Sequence, residues 1–163
     1  MLLKLKNKDT LIIDDFIFKC CIGKNGTKRN KLEGDGFTPK GIFKLGSIYF
    51  RKDKVLKLKS SLKSKIILKN MGWCNDNKSS YYNKPININS KFRSEKLFRK
   101  DYKYDYLIEI LYNRKKIIKN KGSAIFLHLT KNYQPTAGCI AVKKKDFIII
   151  VKLINRNSKI LIS

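Results

Sequence analysis

At 163 residues the chain is long enough to bury most of its apolar surface in one core. A hydrophobic fraction of 42%, with nine Phe, eight Tyr and one Trp, excludes a disordered polycation despite a formal net charge of +26. That charge points to an anionic partner, whether nucleic acid, an acidic membrane surface or a carboxylate-rich polymer. Lysine far outnumbers arginine, which argues against specific nucleic-acid recognition, because bidentate contacts to bases and phosphates favour Arg. An A/T-rich coding bias towards Lys, Asn and Ile would produce the same charge without any partner.

Residues 2–6 and 10–13 predict a strand pair around the polar turn Asn7-Lys8-Asp9, and residues 16–22 a third strand. Gly23 and Gly26 bracket a turn. Residues 33–41 form a Gly-rich loop that lacks the G-x-x-x-x-G-K-[ST] spacing of a phosphate cradle and so turns the chain into a long strand over 41–50. Residues 51–69 alternate Lys with aliphatic residues, as exposed strands or an irregular cationic surface would. Trp73, Tyr81 and Tyr82 lie in turn-rich sequence and suit either a saccharide or peptide groove or, for Trp73, core packing. Residues 94–98 predict a short helix capped by Ser94, and residues 104–112 a strong strand. After a basic loop, residues 124–127 read as a buried strand ending at His128, residues 143–155 as a packed helix with Asp146 in its first turn, and residues 160–162 as a last strand. The fold class is mainly β (β-rich α+β): one domain over 1–163, built of packed sheets with one or two short helices.

The chain has one histidine and four cysteines. Cys20 and Cys21 are adjacent in a strand, so their side chains face opposite ways and cannot pair simply; Cys74 is a candidate partner for either. Without CxxC or a spaced His set, no zinc site and no cofactor is expected. The basic amino terminus is interrupted by Asp14 and Asp15 with no small-residue cleavage site, so it does not read as a signal peptide, and no stretch approaches the ~18 apolar residues of a membrane span.

The chemistry concentrates in residues 122–142. A strand, a loop and a strand can set His128 beside Cys139, where an imidazole deprotonates a thiol into a nucleophile. Gly138 permits close backbone approach, and the amides of Gly138 and Cys139 are candidates for an oxyanion hole. The orienting third group is not identifiable in the sequence; a backbone carbonyl is one candidate partner for His128 Nδ1. A buried, inert Cys and His would be the plain structural alternative.

His128 followed by Pro135-Thr136-Ala137-Gly138-Cys139-Ile140 resembles the catalytic motif of the L,D-transpeptidase catalytic domain (YkuD) family. Residues 21–26 (CIGKNG), 33–43 (EGDGFTPKGIF), 71–76 (MGWCND) and Tyr82-Asn83 are similar to further family segments in the same order, the last two to a small proteobacterial branch. Together they cover roughly residues 20–150. The chain departs from the common pattern at Ala137, where many members carry His, and at Ala141, where many carry Arg, and its loop between His128 and Cys139 is shorter.

The resemblance implies a peptidoglycan cross-linking enzyme of the cell envelope. Cys139 would be the nucleophile, His128 the proton donor and acceptor, and stem peptides both donor and acceptor, with Trp73, Tyr82 and Thr136 near the substrate. An L,D-carboxypeptidase and a non-catalytic cationic wall- or polyanion-binding module are the alternatives.

Overall fold

The computed structural model describes residues 1–88 and 91–163. Strand β1 (Leu2–Lys6) turns Leu3 and Leu5 inward and Lys4 and Lys6 outward, and β2 (Thr10–Ile13) does the same with Leu11 and Ile13. The turn between them puts Asn7 and Lys8 at positive φ, and Asp14 does so in the next hairpin, where a short polar side chain tolerates that conformation. Then come β3 (Phe16–Cys21), the two-residue β4 (Thr27–Lys28) and β5 (Thr38–Pro39), the ten-residue β6 (Gly41–Phe50) and β7 (Ser64–Ile66). A small three-stranded unit uses β8 (Met71–Cys74), β9 (Pro85–Asn87) and β10 (Ser94–Lys96). The last third supplies β11 (Tyr106–Ile110), β12 (Phe126–Leu129), β13 (Ile140–Val142), helix α1 (Lys144–Leu153) and β14 (Lys159–Ile162).

The large sheet runs β11-β12-β13-β3-β2-β1-β14-β6-β7, and β6 pairs again with β11, so the sheet closes on itself like a barrel. Closure removes the open edges that would otherwise template association. Its interior is filled by Leu3, Leu11, Ile48, Leu127, Ile140 and their neighbours, and α1 adds Phe147, Ile150 and Val151, with Phe147 stacked on Tyr106 at 5.6 Å. Each such burial is worth about 1.5–3 kcal/mol before entropy is charged. Asp146 lies in the first turn of α1 and Lys152 in its last, both favourable to the helix dipole. Among the described residues no helix is long and apolar enough to cross a membrane.

A second apolar cluster lies on the other face of β6, β11 and β12: Tyr49, Leu107 and Phe126 meet Trp73, Leu97 and Tyr104. This layer positions the site, because it takes the side chains of β12 that point away from the barrel interior. Phe126 and His128 share that face, while Leu127 and Leu129 point inward.

Several boundaries differ from the sequence expectations. Residues 94–98 are not a helix: Ser94, Glu95 and Lys96 pair antiparallel with Cys74, Trp73 and Gly72 of β8. Five residues give a helix only one costly nucleating turn, whereas a waiting strand satisfies the backbone at once. The 71–74 segment, lying in turn-rich sequence, is the central strand of that unit. Within 51–69 only β7 is regular. His128 lies inside β12 rather than at its end. All four cysteines, Cys74 included, are unpaired.

Candidate active site

Strands β12 and β13 are parallel neighbours, with His128 level with Ala141 and Leu127 with Ile140. Continuing that register sets Cys139 beside Phe126, on the face that also carries His128. The two residues are therefore diagonal across adjacent strands, about 8 Å apart at Cβ by strand geometry. Both are buried, at 6% and 7% exposure, and both line one cavity of about 210 Å³ together with Glu95, Tyr104, Thr136 and Ala137. A second cavity of about 200 Å³ shares His128, Glu95, Tyr104, Thr136 and Ala137 with the first and adds the basic residues Arg99, Lys103 and Lys131.

The Cys139 side chain is held by backbone. The Cys139 thiol donates to the Ala124 carbonyl (3.2 Å) and receives the Phe126 N–H (3.3 Å). Ala124 sits at φ 52, a strained region for a residue with a Cβ, and this sets the carbonyl that meets the thiol. On the other side Thr136 staples the loop: its hydroxyl donates to the Cys139 carbonyl (2.6 Å) and accepts the Gly138 N–H (3.1 Å). Of the two amides expected in an oxyanion hole, that of Gly138 is thus already given to Thr136. Gly138 has φ 148, and a Cβ there would stand 2.8 Å from the Phe37 carbonyl, so this position demands glycine.

The separate segments singled out in the sequence converge here. Thr136 N–H donates to the Ile22 carbonyl, Lys24 N–H to the Thr136 carbonyl, and Gly23 N–H to the Thr38 hydroxyl. A Cβ on Gly23 would meet the Gly36 carbonyl at 2.4 Å, so the 21–26 turn and the 33–43 loop lock together beneath the Thr136–Cys139 loop. Cys21 Sγ donates to the Gln134 carbonyl, holding the same loop further back.

The L,D-transpeptidase catalytic domain (YkuD) family model matches residues 2–162. The chain belongs to that family. Neither a curated protein nor a solved structure matches it.

In this L,D-transpeptidase-family domain the imidazole tautomer is set by a backbone carbonyl, one of the partners the sequence left open. His128 Nδ1–H donates to the Leu129 carbonyl (2.8 Å), leaving Nε2 with its lone pair. Burial lowers the His128 pKa to about 4; the Leu129 bond works against that, and the charges of Lys103 and Arg99 add to it. Burial likewise drives the Cys139 thiol well up, helped by the negative charge of Glu95, against the Phe126 N–H, Lys31 and the Tyr104 hydroxyl. The resting pair is therefore a neutral thiol and a neutral imidazole, not a thiolate–imidazolium ion pair.

Tyr104 and Glu95 are site residues that the sequence did not single out. The Tyr104 ring meets His128 edge-on at 5.0 Å, and its hydroxyl donates to Glu95 Oε1. Burial raises the Glu95 carboxyl, opposed by the Tyr104 hydroxyl and Arg99. Neither residue carries a local motif signature; only the pairing of β10 with β8 brings Glu95 to the cavity.

Trp73 and Tyr82, expected beside the substrate, line neither cavity. Both are 1% exposed. Trp73 packs edge-on against Phe126 (5.1 Å) and donates Nε1–H to Asn83 Oδ1 (2.8 Å). The same Asn83 oxygen accepts the Ala124 N–H (3.2 Å), and the Asn83 amide group donates to the carbonyls of Tyr112 and Asn113. The Tyr82 hydroxyl donates to Glu33 (2.5 Å) and accepts the Gly122 N–H (3.0 Å). The Trp73, Tyr82 and Asn83 side chains thus brace residues 122–124, the segment whose carbonyl meets the Cys139 thiol. Thr136 does line both cavities. Among the described residues no three His, Cys, Asp or Glu side chains converge where they could hold a metal ion.

Proposed function

We propose that this protein is a peptidoglycan L,D-transpeptidase that works as one catalytic domain over residues 1–163, transferring an acyl group through a thioester on Cys139. The observation that carries this is the pairing, in one cavity, of a backbone-anchored thiol with an imidazole whose Nε2 is unprotonated. Family membership supports the substrate class, stem peptides of the cell wall, and with it a site of action in the cell envelope.

The Sγ proton passes to His128 Nε2 as Sγ attacks the carbonyl carbon of the donor's L,D-peptide bond. Collapse of the tetrahedral adduct breaks the C–N bond, and Nε2 returns the proton to the departing D-alanine amine. The acceptor amine then gives a proton to Nε2 while attacking the thioester, and Sγ leaves and recovers its proton. Because both groups start neutral, proton transfer and attack proceed together rather than from a standing thiolate. The Cys139 amide is assigned to the oxyanion, since the Gly138 amide is engaged by Thr136. Lys103 and Lys131, on the basic side of the paired cavities, suit the carboxylates of a stem peptide.

The test is intact-protein mass after incubation with a purified tetrapeptide muropeptide. Wild type should gain the donor mass minus D-alanine; Cys139→Ala and His128→Ala should not, while Cys20→Ala and Cys74→Ala should behave as wild type. Adding an acceptor peptide should yield a cross-linked product and discharge the adduct; free tripeptide alone would assign carboxypeptidase activity. An adduct surviving in Cys139→Ala would overturn the mechanism.

A further inference from the structure

The outward face of the barrel sheet carries a row of four aliphatic side chains with Lys4 at its middle. Register places Ile17 beside Ile12, Ile12 beside Lys4, Lys4 beside Leu161, and Leu161 beside Ile42, so the five side chains cross β3, β2, β1, β14 and β6 in one line. At about 4.8 Å per strand the line is roughly 19 Å long. Its end members are open to solvent, Ile17 at 72% and Ile42 at 61% exposure. Two flanking rows follow from the same register: Lys19, Thr10 and Lys6 on one side, and Leu2, Lys159 and Lys44 on the other. No outward position in the three rows is acidic. The nearest carboxylates, Asp9, Asp14 and Asp15, sit in the hairpin turns at the strand ends.

We propose that this face docks the protein on an anionic lipid bilayer, the aliphatic row entering the headgroup–acyl boundary while Lys4, Lys6, Lys19, Lys44 and Lys159 meet lipid phosphates. Two features together select this occupant. A soluble polyanion accounts for the lysines but not for Ile17, Ile12, Leu161 and Ile42, and single-stranded nucleic acid would call for aromatic platforms, of which these rows have none. A second copy of the chain would set five lysines against five lysines. A bilayer accepts both features, since a shallow apolar surface and a polybasic rim are each weak anchors alone and sufficient in combination. The proposal is independent of the activity assigned to Cys139.

The test is co-sedimentation of the full chain with vesicles of phosphatidylcholine alone and of phosphatidylcholine with phosphatidylglycerol. Binding is expected only to the anionic vesicles. Ile17→Ser with Ile42→Ser should weaken it at least ~10-fold. Lys6→Gln with Lys159→Gln should weaken it about 25-fold, near 5-fold per lysine. Lys115→Gln with Lys116→Gln removes the same net charge from an exposed loop and should leave binding unchanged. These variants should keep wild-type thermal midpoints and wild-type reactivity of Cys139. No binding to anionic vesicles, equal binding to phosphatidylcholine, or unchanged binding by the isoleucine pair or by the lysine pair of this face would overturn the proposal.

Discussion

His128 rests as a neutral imidazole, and the cause is its enclosure. Burial outweighs the hydrogen bond to Leu129, and the nearby Lys103 and Arg99 charges oppose a second positive charge, so its pKa falls to about 4. A depressed pKa means that the unprotonated, competent form persists as pH drops, until the medium approaches that value. The rate of thioester formation under limiting donor should therefore stay level from pH 7.5 down to about 5 and fall only near 4. An exposed imidazole would give the acid limb near 6.5. Single-turnover mass spectrometry across that range checks this, and a limb at the ordinary value would mean that His128 is solvated in the working enzyme. Glu95→Gln should ease ionisation of Cys139, whose thiol the Glu95 charge holds up.

Among the structural elements, the small sheet of β8, β9 and β10 braces the segment that meets the Cys139 thiol, and Asn83 links Trp73 of β8 to Ala124, two residues before β12. Its side chain makes four hydrogen bonds inside the protein, to Trp73, Ala124, Tyr112 and Asn113. Truncation strands the Trp73 N–H and the Ala124 N–H in an apolar layer, at about 1–3 kcal/mol each. Asn83→Ala should cost about 3–5 kcal/mol in urea denaturation and slow acylation of Cys139, whereas Asn30→Ala on the exposed surface should stay within ~0.5 kcal/mol. Equal stability of the two variants would remove Asn83 from the scaffold. The same sheet explains what the sequence could and could not convey. The first hairpins, β6, α1 and the last strand were legible because each alternates or repeats locally against one core. His128, Gly138 and Cys139 were legible because they lie within one short stretch. The segment 94–98 was not, because its three paired residues carry no period of their own and become a strand only against β8. Tyr82 and Trp73 drew attention as aromatic surface, yet their hydroxyl and indole N–H find buried partners forty and ten residues away in the chain. Tyr104 and Glu95 reach the cavity only through tertiary pairing.

On the scale of the whole molecule the dominant electrostatic fact is imbalance, 38 Lys and Arg against 12 Asp and Glu. Even if every carboxylate were paired, 26 cations would remain to repel one another across a 163-residue surface. Local attraction works in the other direction through pairs such as Arg99–Asp101, partly exposed on both sides. Pairs of that kind are typically worth ~0–1 kcal/mol, and salt weakens them too. The two contributions respond to salt with opposite sign, so the measurement decides which is larger. Raising NaCl from about 10 mM to about 150 mM shortens the screening length from roughly 30 Å to roughly 8 Å, which removes most repulsion between distant lysines and leaves contacts under 4 Å largely in place. The thermal midpoint should therefore rise with salt. For a domain of this size each 1 kcal/mol of relief is about 2–4 °C, and a gain of several degrees is expected by differential scanning fluorimetry at pH 7. Sulfate at matched ionic strength would confound the result through its own exclusion from protein surface, so chloride is the salt to use. A midpoint that falls with NaCl would mean that the few carboxylates, by their placement beside Arg51, Arg99 and Lys31, outweigh an excess of cations more than twice their number.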